Sequence, residues 1–590
     1  MWLRRAVYCR FQTHCSRYGI FFPNVPHQNI HTNHIKCSPA DNIPDGPTLK
    51  DFIKGSASNI GTENLSPSTV PYLESSTYDG ENRKVYFEVY GCQMNVSDAD
   101  VVWSVLNKSG YKRTTNIREA DVITLITCAI REGAEQKIWA RLADLNKLKK
   151  ARSSDPKAQP KICLLGCMAE RLKEKVLEVE KSVDVVAGPD SYKDLPRLLS
   201  VTRSHKKAVN VLLSLDETYA DIMPMHLNED SVTAFLSIMR GCNNMCTYCI
   251  VPFTRGRERS RPVDSILDEV KYLREKGIKE VTLLGQNVNS FNDTSQLAST
   301  KDAAVTRVAK GFKTVYKLPP AGIKFAELLD KVSDVDPEMR VRFTSPHPKD
   351  FPDDVLEVIK KKKNICKSIH LPAQSGNSLI LERMRRGYTR EAYLELVDHI
   401  RDYLPNVTLS SDFIMGFCGE TEEQFQDTLS LLRIVKYQKA FTFAYSMREK
   451  TTAHRRLDDD VPPLVKLRRT TEASNLYREI AHELHSGYIG QYELVLVEAD
   501  SRKNNLNLQG KNDTNITVIL PKCDVPENES SNILKPMKPG DYVCVKIEDA
   551  TSQTLKGTPL FHSSIAHFHQ WQESCPSDSS YSETRNASSA

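Results

Sequence analysis

Cys242, Cys246 and Cys249 form a C-x3-C-x2-C cluster directly after an apolar stretch at 235–239 that reads as a strand. No other feature restricts the chain as much. Three thiolates on one short loop can hold three irons of a [4Fe–4S] cube and leave the fourth iron open to a small molecule. They are one donor short of a closed structural zinc site, which takes four. Spacing alone leaves a zinc knuckle or chance clustering open, so the surroundings of the loop must decide.

At 590 residues the chain exceeds what one core organises, since single cores rarely grow past about 250 to 300 residues, and about three domains are expected. A mean hydropathy of −0.44, with no apolar run near the ~18 residues a spanning helix needs, argues against a membrane span. The net charge of +5 permits a polyanionic partner without demonstrating one. The 15 cysteines come without a secretory signal, so metal or thiolate chemistry in a reducing compartment is favoured over a disulfide framework. Residues 1–40 contain no Asp or Glu but carry Arg4, Arg5, Arg10, Arg17 and Lys36 among Trp2, Leu3, Phe11, Phe21 and Phe22. That is the pattern of a mitochondrial transit peptide, an unstructured basic tail being the alternative.

Residues 41–82, rich in Ser, Pro, Asn and Gly, read as a disordered linker. A first α/β domain is expected over 83–200, with strands at 85–90, 122–127, 162–166 and 183–187, and a first helix carrying Val101, Val102, Val105 and Leu106 at helical spacing. Alternation of strands and helices implies an open parallel sheet. Three of its strands end in cysteine, at Cys92, Cys128 and Cys167. Ligands collect outside the carboxyl ends of such strands, so the three could converge on a second cluster, although spacing alone equally allows buried thiols. Cys163, inside an apolar run, reads as core.

A second α/β series over 230–463 has strands near 235–239, 281–285, 340–344, 366–371, 407–414 and 440–445, which make a partial (β/α)6 barrel with its site at the strand carboxyl ends. The first helix is expected to be capped by Asp264 or Ser265, to bury Ile266, Leu267, Val270 and Leu273, and to stop at Gly277. The other strand ends carry Gly285-Gln286-Asn287, Thr344-Ser345-Pro346-His347, Pro372-Ala373-Gln374-Ser375-Gly376, Gly416-Phe417-Cys418-Gly419-Glu420-Thr421 and Tyr445-Ser446-Met447-Arg448. Each alone is compatible with an ordinary turn, and His347 or His370 is more often a satisfied structural histidine than a ligand. Residues 292–320 read as an insertion, 464–486 as a linking helix, 487–562 as a small antiparallel β-barrel and 563–590 as a disordered tail.

The words Arg240-Gly241-Cys242-Asn243-Asn244-Met245-Cys246-Thr247-Tyr248-Cys249-Ile250-Val251-Pro252, Tyr90-Gly91-Cys92-Gln93-Met94-Asn95, Thr127-Cys128-Ala129-Ile130-Arg131-Glu132 and Leu165-Gly166-Cys167-Met168-Ala169 resemble the radical S-adenosylmethionine methylthiotransferases. The resemblance spans 83–562 in the order of auxiliary domain, radical domain and TRAM, an RNA-binding barrel. It implies two [4Fe–4S] clusters, one on Cys242, Cys246 and Cys249, the other, auxiliary, on Cys92, Cys128 and Cys167. It further implies that S-adenosylmethionine chelates the open iron and is cleaved by an electron from the cluster to a 5′-deoxyadenosyl radical, with Gln286 and Asn287 near its methionine end, Gln374 near the ribose, and Gly416 and Glu420 on the same rim. Two departures from the family pattern are Cys418, where Pro is usual, and Lys450, where Gly is usual.

Within the family, Gly91-Cys92-Gln93-Met94-Asn95 and Ile130-Arg131-Glu132 resemble the branch acting on isopentenylated adenosine beside the tRNA anticodon. The implied reaction replaces the C2 hydrogen of that adenine by a methylthio group at the expense of two S-adenosylmethionines, in the mitochondrial matrix, by a monomer. An aromatic C–H has no leaving group or acidic proton, hence the radical initiator. Arg255, Arg257, Arg259 and Arg261 are expected to meet phosphates of the anticodon arm, the alternative being a structurally paired basic turn. The base would have to be unstacked to be read. The rival readings are methylthiolation of threonylcarbamoyladenosine or of a ribosomal protein, and a non-catalytic protein that docks on a cyclin-dependent kinase activator subunit.

Overall fold

The computed structural model describes residues 78–130, 132–152, 159–204, 206–295, 322–502 and 504–574. The expected transit peptide at 1–40, nearly all of the linker at 41–82, Arg131, most of the 292–320 insertion and the end of the tail lie outside these residues.

The first domain is a six-stranded, all-parallel sheet in the order Lys112–Arg113, Lys84–Val89, Val122–Thr127, Lys161–Gly166, Val183–Ala187, Ala208–Asn210. Alternate residues of its strands feed two cores. Val85, Val122, Ile126 and Leu165 face the helices Gln93–Lys108 and Leu195–Val201, whereas Ile123, Leu125, Ile162 and Leu164 face Glu132–Ala151 and the short helices after Gly166. A sheet covered on both sides has apolar residues at both parities, which is why these strands read as continuous apolar runs. Cys163 is fully buried in the first of these cores, as expected.

The second domain has two three-stranded parallel sheets, Thr233–Ser237 with Glu280–Leu284 and Arg340–Phe343, then Ser368–His370 with Thr408–Met415 and Lys439–Ala444. A parallel bridge from Val341 to Ile365 joins them into one arc of six strands in chain order. Helices cover its outside and one large core lies between. The first helix, Val263–Glu275, starts from Pro262 and not from Asp264 or Ser265; Asp264 sits in its first turn, and Gly277 ends it at φ +84°.

The helix Pro463–Ser486 lies against the last strand and leads to a closed barrel, Tyr492–Asp500, Asn507–Lys511, Thr517–Pro521, Thr554–Ser563 and Tyr542–Ala550. This barrel docks at the amino ends of the second domain's strands. Arg340 donates to the Lys511 carbonyl at 2.8 Å, Arg342 to those of Asp513 and Asn512 at 2.7 Å, and the Tyr542 hydroxyl to Lys279 at 2.8 Å. The tail is not without structure from 563. A helix Ile565–Ser574 packs Phe568 and Trp571 against Phe561 and Tyr492, and its first free N–H groups, on Ile565 and Ala566, are capped by Glu338 at 2.6 and 3.0 Å. Among the described residues no helix is long and apolar enough to cross a membrane.

Candidate active site

The auxiliary triad is built by neighbouring strands. Lys84–Val89, Val122–Thr127 and Lys161–Gly166 lie side by side, roughly 4.8 Å apart, so residues at their carboxyl ends meet although the chain separates them widely. Cys92 precedes the helix Gln93–Lys108, Cys128 follows its strand at once, and Cys167 opens the helix Cys167–Leu172. Two glycines make the approach possible. Gly91 has φ +111°, and a Cβ there would lie 2.5 Å from that of Cys128; Gly166 has φ +93°, and a Cβ would meet the Thr127 carbonyl at 2.7 Å.

The three sulfurs sense one another. The hydrogen bond from the Cys128 thiol holds Cys92 down at about 6, against burial and with help from Arg255, and the same bond pushes Cys128 up. Burial raises Cys167 while Arg255 opposes it. The backbone N–H of Ile130 donates to Cys128 Sγ at 3.4 Å.

The second triad follows the first barrel strand. Met239–Arg240 pairs with Arg259–Ser260, pinching off the loop that carries Cys242, Cys246 and Cys249. The loop is held from both sides: Thr247 donates to the carbonyls of Arg383 and Met384, and Ala453 donates to that of Thr247. Burial, then the neighbouring thiols, raise Cys242 and push Cys249 up to about 12. Arg386, buried, donates to Cys246 Sγ at 3.5 Å, to Tyr248 Oη at 3.4 Å and to the Pro372 carbonyl at 2.8 Å.

The triads share a wall. Ile250 and Phe253, on and beside the helix Val251–Thr254 that follows Cys249, pack on Ala129 and Cys167, and Arg255 donates through Nε to Cys167 Sγ at 3.2 Å.

Of the four arginines expected to meet RNA, three do not face solvent. Arg255 is paired with Asp98 at 2.6 Å, Arg259 with Asp190 at 3.0 Å and Arg261 with Glu269 at 2.7 Å, all buried. These guanidiniums are buried against carboxylates inside the fold and are not presented to an RNA phosphate from solvent, which is the arrangement of the paired-turn alternative. Arg257 is exposed.

The expected cofactor rim also divides. Gln286 is half-buried with Oε1 lacking a partner among the described residues, and Gln374 is buried at φ +71°. Asn287 is spent on the protein, donating to Asp350 at 2.8 Å and accepting from the His347 N–H at 2.9 Å. Glu420 Oε2 takes the Gly416 N–H at 2.6 Å and Arg469 at 3.0 Å, and Gly416 lies against Lys466, so both belong to the seat of the linking helix. Cys418 is a core thiol among Ile380, Met384 and Phe417. Lys450 takes φ +72°, the left-handed conformation that explains why glycine is usual there, and its Nζ caps the Arg171 carbonyl. His347 is a satisfied histidine: burial and then Arg386 hold it far below its usual range, and Nδ1 accepts from Lys349 at 3.3 Å.

Sequence reasoning missed Asp98 and Arg386. A signal for the first existed: Asp98 falls on the same helical face as Val101, Val102 and Val105, and a carboxylate on an apolar face requires a cation.

Comparison with known proteins assigns residues 236–432 to the radical SAM superfamily, 84–188 to the uncharacterized protein family UPF0004 and 487–560 to the TRAM domain. The chain is 56% identical over 518 residues, 87% of its own length and 88% of the relative's, to the mouse (Mus musculus) protein named mitochondrial tRNA methylthiotransferase CDK5RAP1. The chain belongs to the radical S-adenosylmethionine methylthiotransferases. This methylthiotransferase is also 50% identical over 507 residues, 84% of each chain, to a CDK5RAP1-like protein of Oryza sativa subsp. japonica. It is 48% identical over 480 residues, 81% of its own length and 97% of the relative's, to the tRNA-2-methylthio-N(6)-dimethylallyladenosine synthase of Chloroherpeton thalassium.

The cofactors of this family are S-adenosylmethionine and two [4Fe–4S] clusters, and the donor sets of this methylthiotransferase fit them. Each triad supplies three thiols, one fewer than a closed tetrahedral zinc site takes and as many as a cube with one open iron needs. All eleven described cysteines are free, and Cys242 and Cys249 ionise reluctantly without metal, so cluster binding must displace their protons.

Proposed function

We propose that this chain replaces the C2 hydrogen of N6-isopentenyladenosine, immediately 3′ of the anticodon, by a methylthio group in mitochondrial tRNAs, and that it does so in the matrix as a monomer. The observation that carries the reading is that two complete cysteine triads on two separate sheets share one wall, in a chain aligned nearly end to end with named tRNA methylthiotransferases.

When bound, the clusters and S-adenosylmethionine supply the radical, the methyl group and the sulfur. The chain's own residues bind, orient and exclude water. Gly91 and Gly166 let three strand ends close on one point, and Thr247 fixes the radical loop to the turn after the helix Ser378–Arg383. Gln286 has an uncommitted amide oxygen beside the loop after Glu280–Leu284, where an ammonium group could be received. Ile250, Phe253 and Ala129 make the ground between the triads apolar, which limits water where a radical has to survive.

Nucleoside mass spectrometry of mitochondrial tRNA from cells lacking the protein tests the reading. The methylthio-isopentenyl nucleoside should vanish while its unthiolated precursor persists, with restoration by the wild-type chain and none by Cys246→Ala. Unchanged methylthio nucleoside, or rescue by Cys246→Ala, refutes it.

A further inference from the structure

Arg255 belongs to the radical domain but its side chain ends inside the auxiliary site. The residue is 3% exposed, and its Nε lies 3.2 Å from Cys167 Sγ. Nη2 reaches Asp98 at 2.6 Å and Asn95 Oδ1 at 3.2 Å, and Asn95 Oδ1 in turn lies 3.9 Å from Cys92 Sγ. Nη1, equally buried, has no hydrogen-bond partner among the described residues. A buried guanidinium N–H without a protein acceptor is costly, so this one is suited to an acceptor that the chain does not itself supply.

The charge count around it is also unusual. Asp98, fully buried, pairs with both Arg255 and Arg240, at 2.6 and 2.8 Å. Arg240 is also drawn to the Glu217 carboxylate, so it is Arg255, holding only a share of Asp98, that is incompletely balanced in surroundings that strongly penalise charge. A set of three thiolates carrying an iron–sulfur cube is the anion that would balance it.

We propose that Arg255 is the positioning residue that sets the charge of the auxiliary cluster: it orients Cys167, offers Nη1 to the group the triad holds, and raises that group's reduction potential by favouring the form with one more electron. The inference rests on the two-cluster reading. Its partner at the other triad is Arg386, so each cluster has one buried guanidinium on one of its cysteines, and the two can be altered separately.

The test is an EPR-monitored redox titration, with dithionite as the electron donor, of the anaerobically reconstituted full chain. The auxiliary signal is identified as the one retained when Cys242, Cys246 and Cys249 are all changed to Ala. Arg255→Gln should lower the auxiliary midpoint and leave the radical-site midpoint unmoved, and Arg255→Lys should restore much of the loss. Asp98→Asn, which unmasks the guanidinium charge, should move the auxiliary midpoint the opposite way. An unchanged midpoint in Arg255→Gln at full iron content overturns the proposal. If Arg255→Gln loses the auxiliary irons, the sign of the Asp98→Asn shift decides, and no shift or a downward one overturns it. No second cluster in the unsubstituted chain would refute the two-cluster reading and this inference with it.

Discussion

Gly91 shows how much of the auxiliary site rests on one missing methyl group. At φ +111° it permits the turn that brings Cys92 back over Cys128, and a Cβ would overlap that of Cys128 at 2.5 Å. Both the backbone conformation and the space are closed to alanine, the first alone costing of order 1–2 kcal/mol. Gly91→Ala should therefore fold but bind about four irons per chain where the unsubstituted protein binds about eight, with the radical-site EPR signal retained. Iron and sulfide analysis after reconstitution measures this, and full occupancy of both sites would show that the strand ends have more freedom than the geometry gives them. The arginines make the complementary point. Arg257 and Arg259 are two residues apart, yet one is exposed while the other is locked to Asp190. No local pattern separates them.

At the level of elements, the segment after the first domain's last strand is a strap laid across the helix Gln93–Lys108. The Tyr219 hydroxyl donates to the Pro189 carbonyl at 2.6 Å, Arg240 lies over its ring at 4.6 Å, and His226 Nδ1 meets Asp100 at 3.0 Å. Burial disfavours the charged imidazole, but the hydrogen bond and charge of Asp100 prevail and raise His226 above its usual 6.5. A pKa higher in the folded than in the unfolded state means that the protonated ring stabilises fully below pH 6.5, and that this contribution fades as pH climbs through the folded value. The strap should thus loosen on passing from below pH 6.5 to alkaline conditions. Hydrogen exchange over 219–227 should quicken over that range beyond the intrinsic pH effect, and His226→Gln should abolish the excess. An identical profile in the variant would exclude the imidazole as its source.

On the scale of the whole molecule, the small barrel and the cysteines sit at opposite ends of the same six strands, the barrel at their amino ends and the radical triad after the first carboxyl end. The barrel is held through backbone carbonyls by arginines that are themselves buried, Arg342 against Glu280 at 2.9 Å. Taking away one partner of such a pair strands the other, at about 3–5 kcal/mol. Arg342→Leu should lower the stability of the domain interface by that order and expose the region near 487–491 to protease, while iron content stays at the wild-type value. Loss of irons along with the interface would mean that the barrel supports the clusters from below.

The strands and the cysteines that follow them could be read from the sequence because each is written locally, as an apolar run, a turn glycine and a cysteine, whereas the grouping into two triads and the order of three domains came from the resemblance of the flanking words to a known family. The rest depended on partners far apart along the chain. Arg255 and Asp98 are 157 residues apart, and the basic run looked like a phosphate contact until the fold supplied the carboxylates. Glu338 caps Ile565 from 227 residues away, which turns an apparently disordered Ser-rich tail into a helix start. Burial is a property of the assembled molecule, and it decided which charges are exposed to a ligand and which are consumed inside, including the guanidinium that points at the auxiliary cysteines.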